Sequence, residues 1–151
     1  METENFKMKN PLISLMIIST LFFVINCTPQ KIQTENINRE WMLVEFQNFN
    51  KDLMIKNNAK LDLSKTTNSA PRFTATMGCN GIFGQATFKA NGKVVFSAIG
   101  STEMFCAENM NLETEFVKVL PTITTYKVEG HRLTLSKKDG TRLKFVASDW
   151  D

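Results

Sequence analysis

The stretch Gly78–Phe96 reads GCNGIFGQATFKANGKVVF, and it decides the fold class. Within it, Gly81–Lys89 and Val94–Phe96 are β-favouring runs on either side of Ala90-Asn91-Gly92. An Asn-Gly pair readily adopts the positive φ values of a tight hairpin turn. Working outward from that hairpin, apolar residues from Trp41 onward recur mainly at every second position, which places them on one face of a pleated strand. Trp41–Phe46 opens the series, Lys60–Leu63 follows, and Phe73, Ala75 and Met77 alternate with Arg72, Thr74 and Thr76. Further on, Thr125–Val128 reaches Gly130, Arg132–Leu135 follows, and Asp139-Gly140 turns the chain into Thr141–Val146. The period changes once. Leu112, Phe116, Val119, Leu120 and Ile123 follow three-and-four spacing, which predicts one amphipathic helix. Asn109 or Asn111 is placed to cap it, Glu113 and Glu115 lie near its positive end, and Pro121 ends or kinks it. The expected fold is mainly β with one helix (α+β): a small antiparallel β-barrel or strongly curved sheet with the helix packed against it.

Residues 1–26 have the pattern of a lipoprotein signal peptide. Lys7 and Lys9 precede an apolar run from Leu12 to Ile25 that ends at Cys27. The run fits a signal-peptide core, whereas a spanning helix needs about 20 apolar residues. Val24-Ile25-Asn26-Cys27 resembles the bacterial lipobox, whose cysteine becomes the lipidated first residue of the mature protein. Asn26 departs from the small residue usual before that cysteine. The alternative is an ordinary cleavage nearby that leaves Cys27 as a free thiol. Acyl chains such as palmitate, at about 0.8 kcal/mol per buried methylene, hold a domain on a membrane. Thr28, where an Asp would favour the inner membrane, points to the outer membrane, facing periplasm or surface. Residues 27–38 then form the lipidated cysteine and a polar tether, residues 39–147 one domain, and residues 148–151 a C-terminal tail.

Removing residues 1–26 of the 151 leaves 125, a length suited to one core. The leader takes with it Lys7 and Lys9, Glu2 and Glu4, so the net charge stays at +3. That balance, spread over scattered lysines and arginines, gives no footprint for nucleic acid. One histidine and no clustered cysteine pair leave too few ligands for a zinc or copper site, so neither a metal nor another cofactor is expected. The methionines Met42, Met54, Met77, Met104 and Met110 read as core fillers.

Beyond Cys27 stand two cysteines, Cys79 and Cys106. An exported chain meets an oxidising compartment, where the two admit a disulfide; buried thiols or a redox-active pair are the alternatives. Cys79-Asn80 with a distant His131 is a weak match to a Cys-His-Asn nucleophile, because His131 falls in a turn where a solvated histidine is expected. Asn80, Gly81 and Gly84 read as turn residues under backbone constraint. Phe105, beside Cys106, is expected to be buried as a plug of the barrel; the alternative is an exposed ring that seeds a partner site.

These residues resemble the META domain family, also called HslJ-like after a bacterial heat-shock lipoprotein. The family pattern of an opening tryptophan strand is matched by Trp41, its G-C-N-x-x-x-G turn by Gly78, Cys79, Asn80 and Gly84, and its T-R-M-x-C segment by Thr102, Met104 and Cys106. Glu115-Phe116 with Leu120 resembles the family helix, and Leu133–Leu135 with Leu143–Phe145 the closing hairpin. The likeness runs over about residues 39–147. Glu103 stands where the family usually carries Arg, Phe105 where a small residue is common, and Ala86 where an aromatic is frequent. The resemblance implies a small barrel-like domain with one helix, and a link to heat shock, envelope stress or drug tolerance, or to virulence and secretion, without a settled catalytic chemistry.

The expected function is therefore a non-enzymatic, envelope-anchored lipoprotein, a monomeric binding module contributing to stress or drug tolerance. Its partners would be the membrane, through the lipid, and an envelope protein or a small hydrophobic ligand. The alternative is a β-barrel lipoprotein that inhibits a secreted hydrolase, a lysozyme or protease. A ligand carrier requires a retained apolar cavity, an inhibitor a filled core and an exposed loop.

Overall fold

Strand alternation works out as eight antiparallel strands in chain order in the computed structural model, which describes residues 37–106 and 110–150. The strands are β1 (Glu40–Phe46), β2 (Lys60–Asp62), β3 (Arg72–Thr76), β4 (Gly81–Lys89), β5 (Lys93–Ser101), β6 (Thr125–Glu129), β7 (Arg132–Ser136) and β8 (Arg142–Ala147). Each pairs with its neighbours in sequence, and β1 pairs with β8, so the sheet closes into a barrel. Most seams are laced over several residues. The β5–β6 seam is paired only at Lys93 and Thr125, flanked by hydrogen bonds from Val94 N to Thr124 O (3.2 Å) and from Tyr126 N to Gly92 O (2.9 Å).

The inward positions are those of the alternating pattern: Trp41 and Leu43, Phe73 and Ala75, Val94 and Phe96, Leu133 and Leu135, Leu143 and Phe145 are all buried. In β1 the alternation slips by one residue, since the register against β8 shifts between Leu43 and Glu45. This β-bulge turns Glu45 out to Lys144 (2.8 Å) and Phe46 into the core. Trp41 donates its indole N–H to the carbonyl of Ile37 (2.9 Å), and Ile37 itself is buried. The packed region therefore already includes Ile37, ahead of the expected start at residue 39. The leader, Cys27 and its lipobox lie outside the described residues.

Among the described residues two helices accompany the barrel. The expected one, α2 (Met110–Val119), continues as a 3-10 turn over Leu120–Thr122, with Pro121 inside that turn. Its residues Leu112, Phe116 and Leu120 are buried, and the Phe116 ring meets Phe46 edge-on at 6.4 Å, so the helix plugs the barrel. Asn109 lies outside the described residues, and Asn111 is within the helix rather than at its cap. The second helix, α1 (Lys51–Lys56), is not visible in the periodicity, because six residues are too few to display one. It is started by Asn50, whose side chain accepts from Asp52 N (2.9 Å), and anchored by Met54 in the core. Among the described residues no helix is long and apolar enough to cross a membrane.

The chain end also folds back on the barrel rather than trailing as a free tail. The Trp150 ring stacks on His131 at 5.3 Å, and Asp149 approaches the Arg39 guanidinium at 3.5 Å.

The single tyrosine gives the packing a spectroscopic handle. Tyr126 donates its hydroxyl to Lys89 O (3.0 Å) and meets Phe88 edge-on at 4.9 Å. Burial disfavours the phenolate and raises its pKa. Its contribution to stability is thus fully present below the unfolded value of about 10 and is lost as pH rises through the higher folded value. An ultraviolet titration of the native protein is expected to show tyrosinate forming later than in the urea-unfolded chain. Coincident curves would contradict this packing.

Candidate functional site

The two motifs singled out in the sequence meet at one place. The turn between β3 and β4 carries Gly78, Cys79 and Asn80, and the segment Thr102–Cys106 leaves the end of β5 beside it. Cys79 and Cys106 form a disulfide with Cα atoms 6.0 Å apart, closing a sequence separation of 27. In the chain-entropy model a loop of that length stabilises the fold by about 3.5 kcal/mol.

Asn80 is more than a turn residue. It is 2% exposed, and its carboxamide is saturated. The Nδ2 group donates to Glu113 Oε1 (2.7 Å) and Met104 O (3.1 Å), while Oδ1 accepts from Thr102 Oγ1 (2.8 Å) and Met104 N (2.7 Å). Its own N–H donates to Glu113 Oε2 (2.8 Å). Both oxygens of Glu113, which is 5% exposed, are thereby engaged by one residue. Thr102 adds two bonds to the turn: Gly81 N donates to its hydroxyl (3.2 Å), and its N–H donates to Gly81 O (3.0 Å).

Glu113 is the functional residue that sequence reading missed. Its place near the positive end of the helix accounts for a carboxylate there, yet it lies three residues before Phe116 and seven before Leu120, on the same apolar stripe. A carboxylate on a buried stripe requires hydrogen-bonding partners, and that was the available signal.

The glycines divide by role. Gly78 has φ +107, and a Cβ there would stand 2.6 Å from the Asn57 side chain. At Gly84 a Cβ would meet the Phe73 ring at 2.7 Å and Ser97 O at 2.9 Å. Gly81 has nothing within 4 Å, so no steric constraint explains it.

Phe105 is not a plug: it is 86% exposed, and Met104 beside it is 57% exposed. The barrel is already filled from that side by Leu112, Phe116 and Leu120, and Asn80 pins the main chain of Met104 against the turn. Met104 is likewise not a core filler, in contrast to Met54 and Met77, which are buried. Between this segment and α2 lies an open groove of about 490 Å³, walled by Met104, Phe105, Met110, Thr114, Val117 and Lys118. A second cleft, of about 510 Å³ beside Ile37, Pro71 and Phe88, contains none of the motif residues.

The structure does not assemble a Cys-His-Asn site. Cys79 is held in the disulfide and has no thiolate to offer, and the His131 ring is stacked on Trp150 with Nδ1 3.4 Å from Arg39 Nη1. Among the described residues no group of three or more His, Cys, Asp or Glu side chains could hold a metal ion.

The META domain profile matches residues 32–150. No curated protein matches the chain. Among solved structures, a protein from Burkholderia xenovorans determined by NMR is similar at 21% identity with a TM-score of 0.59, over 75% of this chain and 83% of that one. A second protein determined by NMR is similar at 19% identity with a TM-score of 0.55, over 82% of this chain and 97% of that one. A DUF4847 family protein from Bacteroides vulgatus, a crystal structure, follows at 13% identity and a TM-score of 0.51, over 76% and 95%. At these identities the likeness concerns the fold alone.

Two neighbouring residues should respond very differently to replacement by alanine. Asn80→Ala strips the partners from Glu113 Oε1 and from the main chain of Met104, and is expected to lower stability by about 3 kcal/mol. Gly81→Ala adds a methyl group in open space and should stay within about 0.5 kcal/mol of the parent. Urea unfolding of the unreduced proteins checks both, and equal losses would contradict the network.

Proposed function

This chain belongs to the META domain family, and from that membership, the leader sequence and the exposed motif loop we propose that it is a non-enzymatic, lipid-anchored binding module of the cell envelope. The observation that carries the binding reading is the pair Met104 and Phe105, both exposed, on a segment fixed by Asn80 at one residue and by the disulfide at Cys106. Large apolar side chains on a backbone that is already fixed cost no further backbone ordering on contact, which suits them as anchors for a partner. The barrel interior is occupied by Trp41, Phe46, Phe116 and Phe145, so space for an apolar ligand lies in the surface groove rather than inside the barrel. This favours a protein partner in the envelope over a carried small hydrophobic molecule. Acylation of Cys27 would confine the module to a membrane surface, on the outer membrane by the reading of Thr28. A contribution to stress or drug tolerance would follow from the partner it holds. One second reading draws on the same loop: Phe105, projecting from a disulfide-fixed segment, could enter the cleft of a secreted hydrolase as an inhibitor.

The test is made in the producing cell. A palmitate analogue is expected to label the wild-type protein and not Cys27→Ala, with the label in the membrane fraction. A photo-crosslinking residue at position 105 should give a discrete adduct with an envelope protein, and the same residue at position 138, on the exposed turn before β8, should give none. A hydrolase in that adduct, inhibited by the purified module, would select the second reading. An unlabelled protein, or identical adduct patterns from both positions, would overturn the proposal.

A further inference from the structure

The segment after β5 is a strand in all but its second neighbour. In the β4–β5 ladder, Ala86 donates its N–H to Pro71 O (2.7 Å) and so turns its main chain toward β3. Main-chain groups alternate sides along a strand, so Ile82 does the same. Their partners across the ladder, Phe96 and Ser101, therefore direct their main chains away from β4. Past Ser101 no turn or bend interrupts the chain up to Cys106. Thr102 donates to Gly81 O, and Met104 exchanges two bonds with the Asn80 side chain, N–H to Oδ1 and carbonyl from Nδ2. That exchange is what a hydrogen-bonded ladder residue makes with its opposite number, so the Asn80 carboxamide acts as one further rung.

The alternation then turns the main chains of Ser101, Glu103 and Phe105 to the other side. Among the described residues none donates to or accepts from them. Here β6, which would be the next strand, pairs with β5 only at Lys93. The groove walled by Met110, Thr114 and Val117 lies along this row. Unpaired N–H and C=O groups at strand spacing are satisfied by another extended backbone, the recognition mode of peptides that add a strand to a sheet edge.

We propose that the edge Ser101–Phe105 accepts an extended peptide segment as an added β-strand. This rests on the reading of the Met104–Phe105 loop as the binding surface and says how the partner engages it. Five residues span about 17 Å, and the three outward residues offer up to about six main-chain hydrogen bonds. The groove wall is largely apolar, and its cation, Lys118, is already paired with Glu115 at 3.2 Å. Glu103 also lines the groove and has no salt bridge among the described residues, so the segment the groove fits carries alternate apolar side chains and no acidic residue.

The probe is a displayed library of short linear peptides, selected on the full-length processed protein, unreduced. The best binder is resynthesised with N-methyl groups at either its odd or its even positions. One methylated series is expected to lose about tenfold or more in affinity and the other little, because only alternate N–H groups of an added strand face the edge. Glu103→Pro, which removes an outward donor at an extended position, should lose about tenfold or more with an unchanged melting temperature, while Glu103→Ala binds like the parent. Equal affinity for both methylated series and for Glu103→Pro would overturn strand addition. If Phe105→Ser still abolished binding in that case, the loop would remain the binding surface. Failure to select any peptide also overturns strand addition, and the cellular crosslink from position 105 then decides the loop reading separately. A dimer of the protein that Glu103→Pro dissociates would make the occupant a second copy and overturn the proposed peptide partner.

Discussion

The carboxamide of Asn80 joins three parts of the chain that lie far apart in sequence. It has two donors and two acceptor sites, and all four are used, on Glu113, Met104 and Thr102. Removing it would leave this corner held by the disulfide, the Gly81–Thr102 bonds and the Asn80 N–H to Glu113, with Glu113 Oε1 and the main chain of Met104 stripped of their partner. An aspartate in its place has no donors and would set a second carboxylate beside Glu113. A glutamine reaches one methylene further and could not sit on the same partners. A buried polar cluster specifies one arrangement when every member is satisfied and destabilises it when one is missing. Here the asparagine and its carboxylate partner are complete.

The other motif residues support that corner. Gly78 takes a positive φ that lets the chain enter the turn against Asn57, and Cys79 ties the turn to Cys106 just beyond the exposed pair. Gly84 lets β4 cross the Phe73 ring and the β5 bulge around Ala98 without collision. Thr102 uses its hydroxyl as both acceptor and donor between Gly81 and Asn80. The result is a short main-chain segment held at alternate residues on one side and left open on the other. Rigidity and exposure coincide there, and a binding edge requires both.

Most of the barrel was legible because alternation and turn chemistry are local. The Asn91-Gly92 turn has its positive φ at Gly92, Asp139-Gly140 has one at Gly140, and the strands fall where the period-two runs lie. What stayed hidden depends on contacts distant in sequence. The β1 bulge reveals itself only against β8, and the short helix α1 is fixed by the burial of Met54. Phe105 is large and apolar, which points to the core, but the space it would fill is taken by Leu112, Phe116 and Leu120 of the helix. At the site, the cysteine pair and the asparagine could be picked out from the motif. The carboxylate that completes them could be found only by asking which residue on the helix stripe had no business being charged.

Amide hydrogen exchange, resolved residue by residue in the unreduced protein, tests the central claim most directly. Thr102 and Met104 donate inward, whereas Glu103 and Phe105 have no partner among the described residues. The account predicts slow exchange at Thr102 and Met104 and fast exchange at Glu103 and Phe105. In Asn80→Ala the protection of Met104 should collapse while Leu133 and Phe145 in the barrel stay protected. Uniformly fast exchange from Thr102 to Phe105 in the parent protein would contradict it, because the segment would then be an untethered loop rather than a held edge.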